Sequence, residues 1–369
     1  MNDKPPLGIA WDKIGWWVKL EQFAREMELD CEVFEMERSD WLSRVRDYRA
    51  VLWRPNLDPP YCQEAREKIY LLEHHLHKRI FPNWATFWHY DNKKAQAYLM
   101  DQSGIPTPAC FVSYSEKEAY ERLAGMTLPV VSKSAGGASS EAVRLLRTPA
   151  DVRRDIRRAL HEPLPIKVLR RLGVTLRLRP DVRRGYVLWQ DFVPDNPRDF
   201  RVTIIGKKYG FVFWRNNRPG DFRASGSGLI DYDVADGRTE VALCIDLCRR
   251  HDFDSMAFDF VYHDGRPVIL EMSYAFNDQA IYDAPGHFVA ENPEPQEGEA
   301  GRHGDVGRVI DPTLASRDHE TPTPNALRYV QGHTWPQELV IRYVKNCLNV
   351  SHPTDRAPTH PDPALTTSH

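Results

Sequence analysis

The sequence predicts an α/β fold, with a parallel-sheet unit at the N-terminus and a larger body built mostly of strands behind it. Three observations lead there. Over the first 90 of 369 residues, short apolar runs alternate with longer amphipathic ones, the pattern of strand–helix units wound around a parallel sheet. From Gly185 onward the chain turns to segments rich in β-branched and aromatic residues. A length of 369 residues exceeds what one hydrophobic core usually organises, so two or three subdomains are expected.

The elements follow in order. Leu7 to Trp11, Cys31 to Met36 and Ala50 to Trp53 read as strands. Helices are expected over Trp16 to Leu29, briefly after Ser39, and over Pro60 to His77. His74, His75 and His77 fall on the charged side of that last helix and read as a solvated face rather than a metal site. Asp91 to Ser103 is a helix, stopped by Gly104 and by Ile-Pro-Thr-Pro, which cannot continue it. A strand over Cys110 to Val112, a helix over Ser115 to Ala124, and strands over Leu128 to Lys133 and Ala142 to Arg147 come next. Thr148 is the expected N-cap of a helix over Pro149 to Leu160. Arginines crowd residues 144 to 184 and read as a solvated helix face. Strands then cover Tyr186 to Val193, Phe200 to Ile205 and Tyr209 to Trp214. A helix over Thr239 to His251 carries Cys244 and Cys248 one turn apart, a spacing typical of core packing. All six cysteines (31, 62, 110, 244, 248, 347) are expected to be reduced, structural thiols.

Residues 289–325 are rich in Pro, Gly, Glu and His and are expected to form an inserted, disordered loop. Residues 326–350 return to an amphipathic pattern, and 351–369 read as a disordered tail. The divisions expected are therefore 1–90, 91–184, 185–350 and 351–369. A net charge of −3 gives no reason to expect nucleic acid or an anionic membrane as a partner. The N-terminal residues lack a secretory pattern and no apolar run is long enough to span a bilayer, so a cytoplasmic protein is expected.

The stretch with most chemistry is Phe258 to Glu271, two apolar runs flanking Asp264-Gly265, which reads as a hairpin. One acid interrupts each run, Asp259 on the first strand and Glu271 on the second. A three-residue loop, Asp264 to Arg266, would set them directly opposite one another on one face. Facing carboxylates repel unless a cation lies between them, and a hard divalent ion ligated by oxygen would serve. The alternative is two solvated acids on an exposed face.

Three other clusters bear on the choice. Leu128-Pro-Val-Val-Ser-Lys133 delivers a lysine into a loop of small residues that includes Gly136 and Gly137. Small side chains let backbone N–H groups approach phosphate oxygens, and the lysine adds a point charge. Arg201 and Arg215 stand near the ends of successive strands, with Asp221-Phe-Arg223 beyond, a set suited to stabilising a phosphoryl or acyl-phosphate transition state. Gln190-Asp191-Phe192-Val193 is an amphipathic strand whose backbone would meet the edge of an adenine.

In this order the segments resemble the ATP-grasp superfamily, and most closely its RimK and glutathione-synthetase-like carboxylate–amine ligases. Asp91-Asn-Lys93 looks like the family's first nucleotide-lysine helix, and Val131-Ser-Lys133 with Gly136 and Gly137 like the second lysine and lid. Gln190 to Val193 is similar to the adenine-lining hinge, Asp199 to Arg223 to the segment carrying the catalytic arginine, and Asp259 with Glu271-Met-Ser273 to the metal-binding acids. Ser273 stands where the family usually has Asn.

The resemblance implies an α+β ATP-grasp architecture in which two subdomains hold ATP between them behind the N-terminal α/β domain. It implies ATP and Mg²⁺, with Mn²⁺ able to substitute, held by Lys93, Lys133, Asp259, Glu271 and Ser273. Arg215 would be the catalytic arginine and Arg201 the second candidate. The reaction implied joins a small-molecule carboxylate to an amine through an acyl-phosphate. A kinase that stops at phosphoryl transfer, and a nucleotide-binding protein without turnover, are the alternatives. Homo-oligomer formation is left open.

Overall fold

The computed structural model describes residues 6–134, 143–161, 185–291 and 323–349. At the N-terminus the elements are β1 (Leu7–Ala10), α1 (Trp16–Glu26), β2 (Cys31–Phe34), α2 (Trp41–Val45), β3 (Ala50–Leu52), α3 (Pro59–Tyr70) and β4 (Arg79–Phe81). The strands form a parallel sheet in the order β2-β1-β3-β4. β1 and β3 are buried on both faces, which is why they read as continuous apolar runs rather than alternating ones. β4 and the short helix α4 (Trp84–Trp88) were not expected from the sequence. α4 begins at Asn83, whose side chain accepts a hydrogen bond from the Thr86 N–H at 3.0 Å.

The second unit comprises α5 (Lys93–Gln102), β5 (Cys110–Ser113), α6 (Glu116–Gly125), β6 (Val130–Ser132), β7 (Arg144–Leu146), α7 (Pro149–Leu160) and β8 (Val187–Asp191). Its sheet runs β5-β8-β6-β7, all pairs antiparallel. Thr148 caps α7 as expected, in a reciprocal box with Asp151. The expected division at residue 184 shifts, because β8 pairs with β5 and β6 and completes this small sheet. The chain leaves it only after Asp191, through the segment 192–197.

The third unit contains β9 (Arg198–Ile205), β10 (Tyr209–Asn216), β11 (Ile230–Asp231), α8 (Arg238–Arg250), β12 (Ser255–His263), β13 (Arg266–Ser273), α9 (Asp278–Tyr282), β14 (Gly286–Ala290), β15 (Leu327–Gln331) and α10 (Pro336–Asn349). The sheet order is β13-β12-β9-β10-β14-β15, with β11 also paired to β10. Val289 and Ala290, expected inside the 289–325 insertion, are buried strand residues instead. They pair with Arg328 and Leu327, so β14 gains its partner from beyond the interruption. Residues 292–322 and 350–369 lie outside the described residues, with most of the expected insertion and the tail.

One face of the large sheet packs Phe200, Val202, Ile204, Phe258 and Phe260 against Val241 and Ile245 of α8. Burying each such side chain contributes roughly 1.5–3 kcal/mol. On the other face, Ile205 and Phe211 share a core with Leu7 and Leu20 of the N-terminal unit and with Leu339, Val340 and Val344 of α10. Helix α10 thus binds the first unit to the third. Cys244 and Cys248 are fully buried in α8, and all six cysteines are free thiols, as expected. Among the described residues no helix is long and apolar enough to cross a membrane.

Candidate active site

Alternation along β9 sends Asp199 and Arg201 to the face opposite the α8 core. Strand order then gathers charge there. Arg215 on β10 stands opposite Asp199, and Asp259 on β12 stands opposite Arg201. Arg201 donates Nε and Nη2 to Asp259 at 2.7 and 2.8 Å. Arg215 donates Nε and Nη2 to Asp199 at 2.7 and 2.6 Å, and its Nη2 also lies 2.8 Å from Asp259 Oδ2. Burial would raise the Asp259 carboxyl, but the two guanidinium groups outweigh it and hold it well below the usual range. Burial and the Asp259 carboxylate hold Asp199 above its ordinary value, against the pull of Arg215. Arg215 is buried yet firmly charged, since the two aspartates more than offset the desolvation.

Asp259 does face Glu271, though not through the expected three-residue loop. His263 pairs with Arg266, leaving a two-residue turn in which Asp264 and Gly265 have φ of 50° and 74°. Positive φ at both central residues is the twist-matched hairpin turn, and Asp-Gly is suited to it. That register alone would set Asp259 against Leu270. A bulge after Phe260–Ile269 inserts Leu270 unpaired and brings Glu271 opposite Asp259. The Leu270 carbonyl accepts a hydrogen bond from Lys133 Nζ at 3.1 Å.

The expected repulsion between the two acids is absent because the protein supplies its own cations. Asp259 is held by both arginines, and Glu271 lies 3.2 Å from Lys93 Nζ. Lys93 opens α5, which Asn92 caps by accepting from the Ala95 N–H at 3.3 Å. Gln96, one turn on, clamps this helix to β13: its Nε2 donates to the Met272 carbonyl at 2.6 Å, and its Oε1 accepts from the Met272 N–H at 3.1 Å. Burial alone would lower Lys93, but Glu271 and Asp91 raise it. Lys133 follows β6 and is likewise buried. Burial draws its ammonium below the ordinary value, with Glu271 pulling the other way.

This cluster sits where two cavities meet. The smaller, of 530 Å³, is lined by Lys133, by the hinge residues Gln190, Asp191, Phe192 and Val193, and by Phe222 and Leu270. Its walls are largely apolar and its size suits one flat heterocycle with attached groups. The larger, of 950 Å³, lies between α1, the turn Ser225–Gly228 and the start of α10, and Lys93, Arg201 and Arg215 open into it. Asp259, Glu271 and Ser225 border both.

Asp259 and Glu271 are hard oxygen donors on one face, which suits Mg²⁺. Yet each is already engaged, and the Ser273 hydroxyl donates to the Ala275 carbonyl at 3.3 Å. Among the described residues no three His, Cys, Asp or Glu are grouped to hold a metal ion. The formal charges of Asp91, Asp199, Asp259 and Glu271 balance those of Lys93, Lys133, Arg201 and Arg215. A bare ion would have to displace guanidinium and ammonium groups without a net negative field to draw it. A polyphosphate would take those cations for itself and release the carboxylate oxygens. The residues fit Mg²⁺ arriving with polyphosphate, not metal alone.

Of the residues singled out from the sequence, Lys93, Lys133, Arg201, Arg215, Asp259, Glu271 and the hinge come together around the two cavities. Ser273 borders only the larger. Gly136 and Gly137 lie outside the described residues. Sequence reasoning missed Gln96, and it missed Asp199 as the partner of Arg215. The one signal for Gln96 was its place a turn after Lys93.

No family model matches the chain. No curated protein matches it either. Among solved structures it is similar to a RimK domain ATP-grasp protein from Sphaerobacter thermophilus, at 15% identity and a TM-score of 0.48 over 72% of this chain and 89% of that one. It is also similar to D-alanine–D-alanine ligase from Bacillus anthracis complexed with ATP, at 11% identity and a TM-score of 0.48, over 73% and 86%. A macrocyclase from Microcystis aeruginosa bound with its precursor peptide is similar at 14% identity and a TM-score of 0.48, over 75% and 93%.

Proposed function

We propose that the protein is an ATP-grasp enzyme that joins a carboxylate to an amine at the expense of ATP. The observation that carries this reading is the convergence of Lys93 of α5 and Lys133 beyond β6, elements far apart in the chain, on the seam between an apolar cavity and an arginine–carboxylate cluster carried by the third unit. Adenine would occupy the smaller cavity against Gln190 to Val193. The triphosphate would extend past Lys133 and Lys93 toward Arg201 and Arg215.

The acid would enter from the larger cavity. One of its carboxylate oxygens attacks the γ-phosphorus, and the bond to the bridging oxygen breaks, releasing ADP. The acyl-phosphate carbon is then attacked by the amine nitrogen, which gives up a proton as phosphate leaves with the C–O bonding pair. Mg²⁺, when bound, would offset negative charge on the phosphates, and Asp259 and Glu271 would hold it. Arg215, fixed by two aspartates, would present a preorganised cation to the phosphoryl group in flight. Arg201 stands next to it.

Two assays test the reading. Purified protein incubated with Mg²⁺–ATP and pooled acids should release ADP only when an acid is present, and hydroxylamine should trap the activated acid as a hydroxamate. ADP release without hydroxamate would favour a kinase. ATP binding without ADP release across the pool would leave a nucleotide-binding protein.

A further inference from the structure

Part of the larger cavity's lining, on α1 and at the start of α10, takes no part in the proposed phosphate chemistry. Trp16 and Lys19 lie three residues apart on α1 and so share a face. Lys19 Nζ sits 3.9 Å from the centre of the Trp335 ring, which is itself stacked on Tyr282 at 4.1 Å. Gln337, two residues beyond Trp335, completes the wall. Arg54, the other cation on this side, is neutralised by Asp278 at 2.9 Å, and Asp278 also accepts from Gln337 Nε2 at 2.6 Å.

Three groups on this wall are left over. Lys19 has no carboxylate partner among the described residues. The indole N–H of Trp16 and the amide oxygen Oε1 of Gln337 are buried and make no hydrogen bond among the described residues. Trp16 is 6% exposed and Gln337 1%. An unmade hydrogen bond at a buried polar atom is costly, and native proteins rarely leave one without a use. Here a cation, a donor and an acceptor without such partners line one cavity, on α1 and α10 rather than on the strands that carry Arg201, Arg215 and Asp259.

We propose that this wall binds a second carboxylate of the substrate, remote from the one that reacts. Lys19 and the Trp16 N–H supply two donors for its two oxygens. Gln337 Oε1 takes an adjacent N–H or O–H. The apolar side chains of Phe213 and Phe276 accept the linking carbon skeleton. The reacting carboxylate cannot be the occupant, because Lys19 belongs to α1 and to the Trp335 contact, outside the arginine cluster that would receive the phosphoryl group. The acid substrate is therefore a diacid. The assignment rests on the ligase reading for calling the occupant a substrate.

Calorimetric titration with matched pairs of acids tests it, using adipate against hexanoate and suberate against octanoate. Wild-type protein should bind at least one diacid about tenfold more tightly than its partner, the size of one charge-assisted contact at a partly buried site. Lys19→Met keeps the aliphatic stem over Trp335 and should erase that preference without changing affinity for the monoacid. Lys19→Arg should keep most of it. Trp16→Phe keeps an aromatic ring, loses the N–H and should weaken diacid binding several-fold. Equal affinities within both pairs, or a preference that survives Lys19→Met, would overturn the proposal. ATP is titrated into the same preparations. Diacid preference without ATP binding would uphold this site and sink the ligase reading, and the reverse would do the opposite.

Discussion

Replacing Asp259 with Asn tests whether the charge cluster is held together in the way its geometry implies. The carboxylate accepts three short contacts, two from Arg201 and one from Arg215, and its side chain is only 9% exposed. Asn keeps the shape, loses the charge and turns an N–H₂ group toward a guanidinium. Removing one partner of a buried ion pair costs about 3–5 kcal/mol, because the other charge stays buried and uncompensated. Arg215 keeps both hydrogen bonds to Asp199, so the lower end, about 3 kcal/mol, is expected. Glu271→Gln is the control. Its side chain is 33% exposed and meets one ammonium at 3.2 Å, which after solvent screening is worth roughly 1 kcal/mol or less. Urea unfolding of the nucleotide-free proteins measures both through the shift in midpoint. A cost below 1 kcal/mol for Asp259→Asn, or equal costs for the two variants, would refute the argument that the arginines depend on Asp259.

Lys133→Ala should weaken ATP binding about ten- to a hundredfold while the protein stays folded, as a buried ammonium beside phosphates would predict; unchanged affinity by calorimetry would remove Lys133 from the nucleotide site. Mg²⁺ titrated alone should give little heat, and a clear isotherm should appear only with ATP present; tight binding of the bare ion would contradict the balanced charge of the cluster. The third prediction concerns Asp254, whose carboxylate accepts from the Tyr343 hydroxyl at 2.6 Å and the Asn83 N–H at 3.1 Å, with Lys207, Arg79 and Asp252 nearby. Burial raises its pKa to about 6, so the folded state binds this proton more tightly than the unfolded chain, and the resulting stability is present below about pH 4 and lost as pH rises through 6. Asp254→Asn should remove roughly 3 kcal/mol of that decline, and melts from pH 4 to 7 that fall equally steeply in both proteins would count against it.

How much of this was readable from sequence depends on the range of the interaction that decides it. The helices over Pro149 to Leu160 and Arg238 to Arg250 and the paired strands of the third unit carry strong periods and were legible. β4, α4, α9 and β14 were not, since three to five residues carry too little pattern and each is fixed by neighbours from elsewhere in the chain. The facing of Asp259 and Glu271 was reached through a three-residue loop. The chain uses a two-residue turn plus a bulge, and the two routes give the same pairing, so the sequence could not distinguish them. The ion pairs needed the strand order β10-β9-β12, in which Asp259 comes to Arg201 across 58 residues. Gln96 reaches Met272 across 176. No local signal announces either.

The cluster also argues against being there for stability. Replacing a buried ion network by apolar side chains of similar volume is often neutral or stabilising, and the same sheet face already packs Ile205 and Phe211 in apolar contact a few residues away. Apolar residues at 199, 201, 215 and 259 would extend that core at less desolvation cost. Their place is instead taken by two arginines and two aspartates at the seam of a 530 Å³ and a 950 Å³ cavity. On the proposed reading, the aspartates hold the guanidinium groups in place until a polyphosphate displaces them. A polyphosphate bound there would not have to organise those groups itself, because the entropy of fixing two long side chains would already be met.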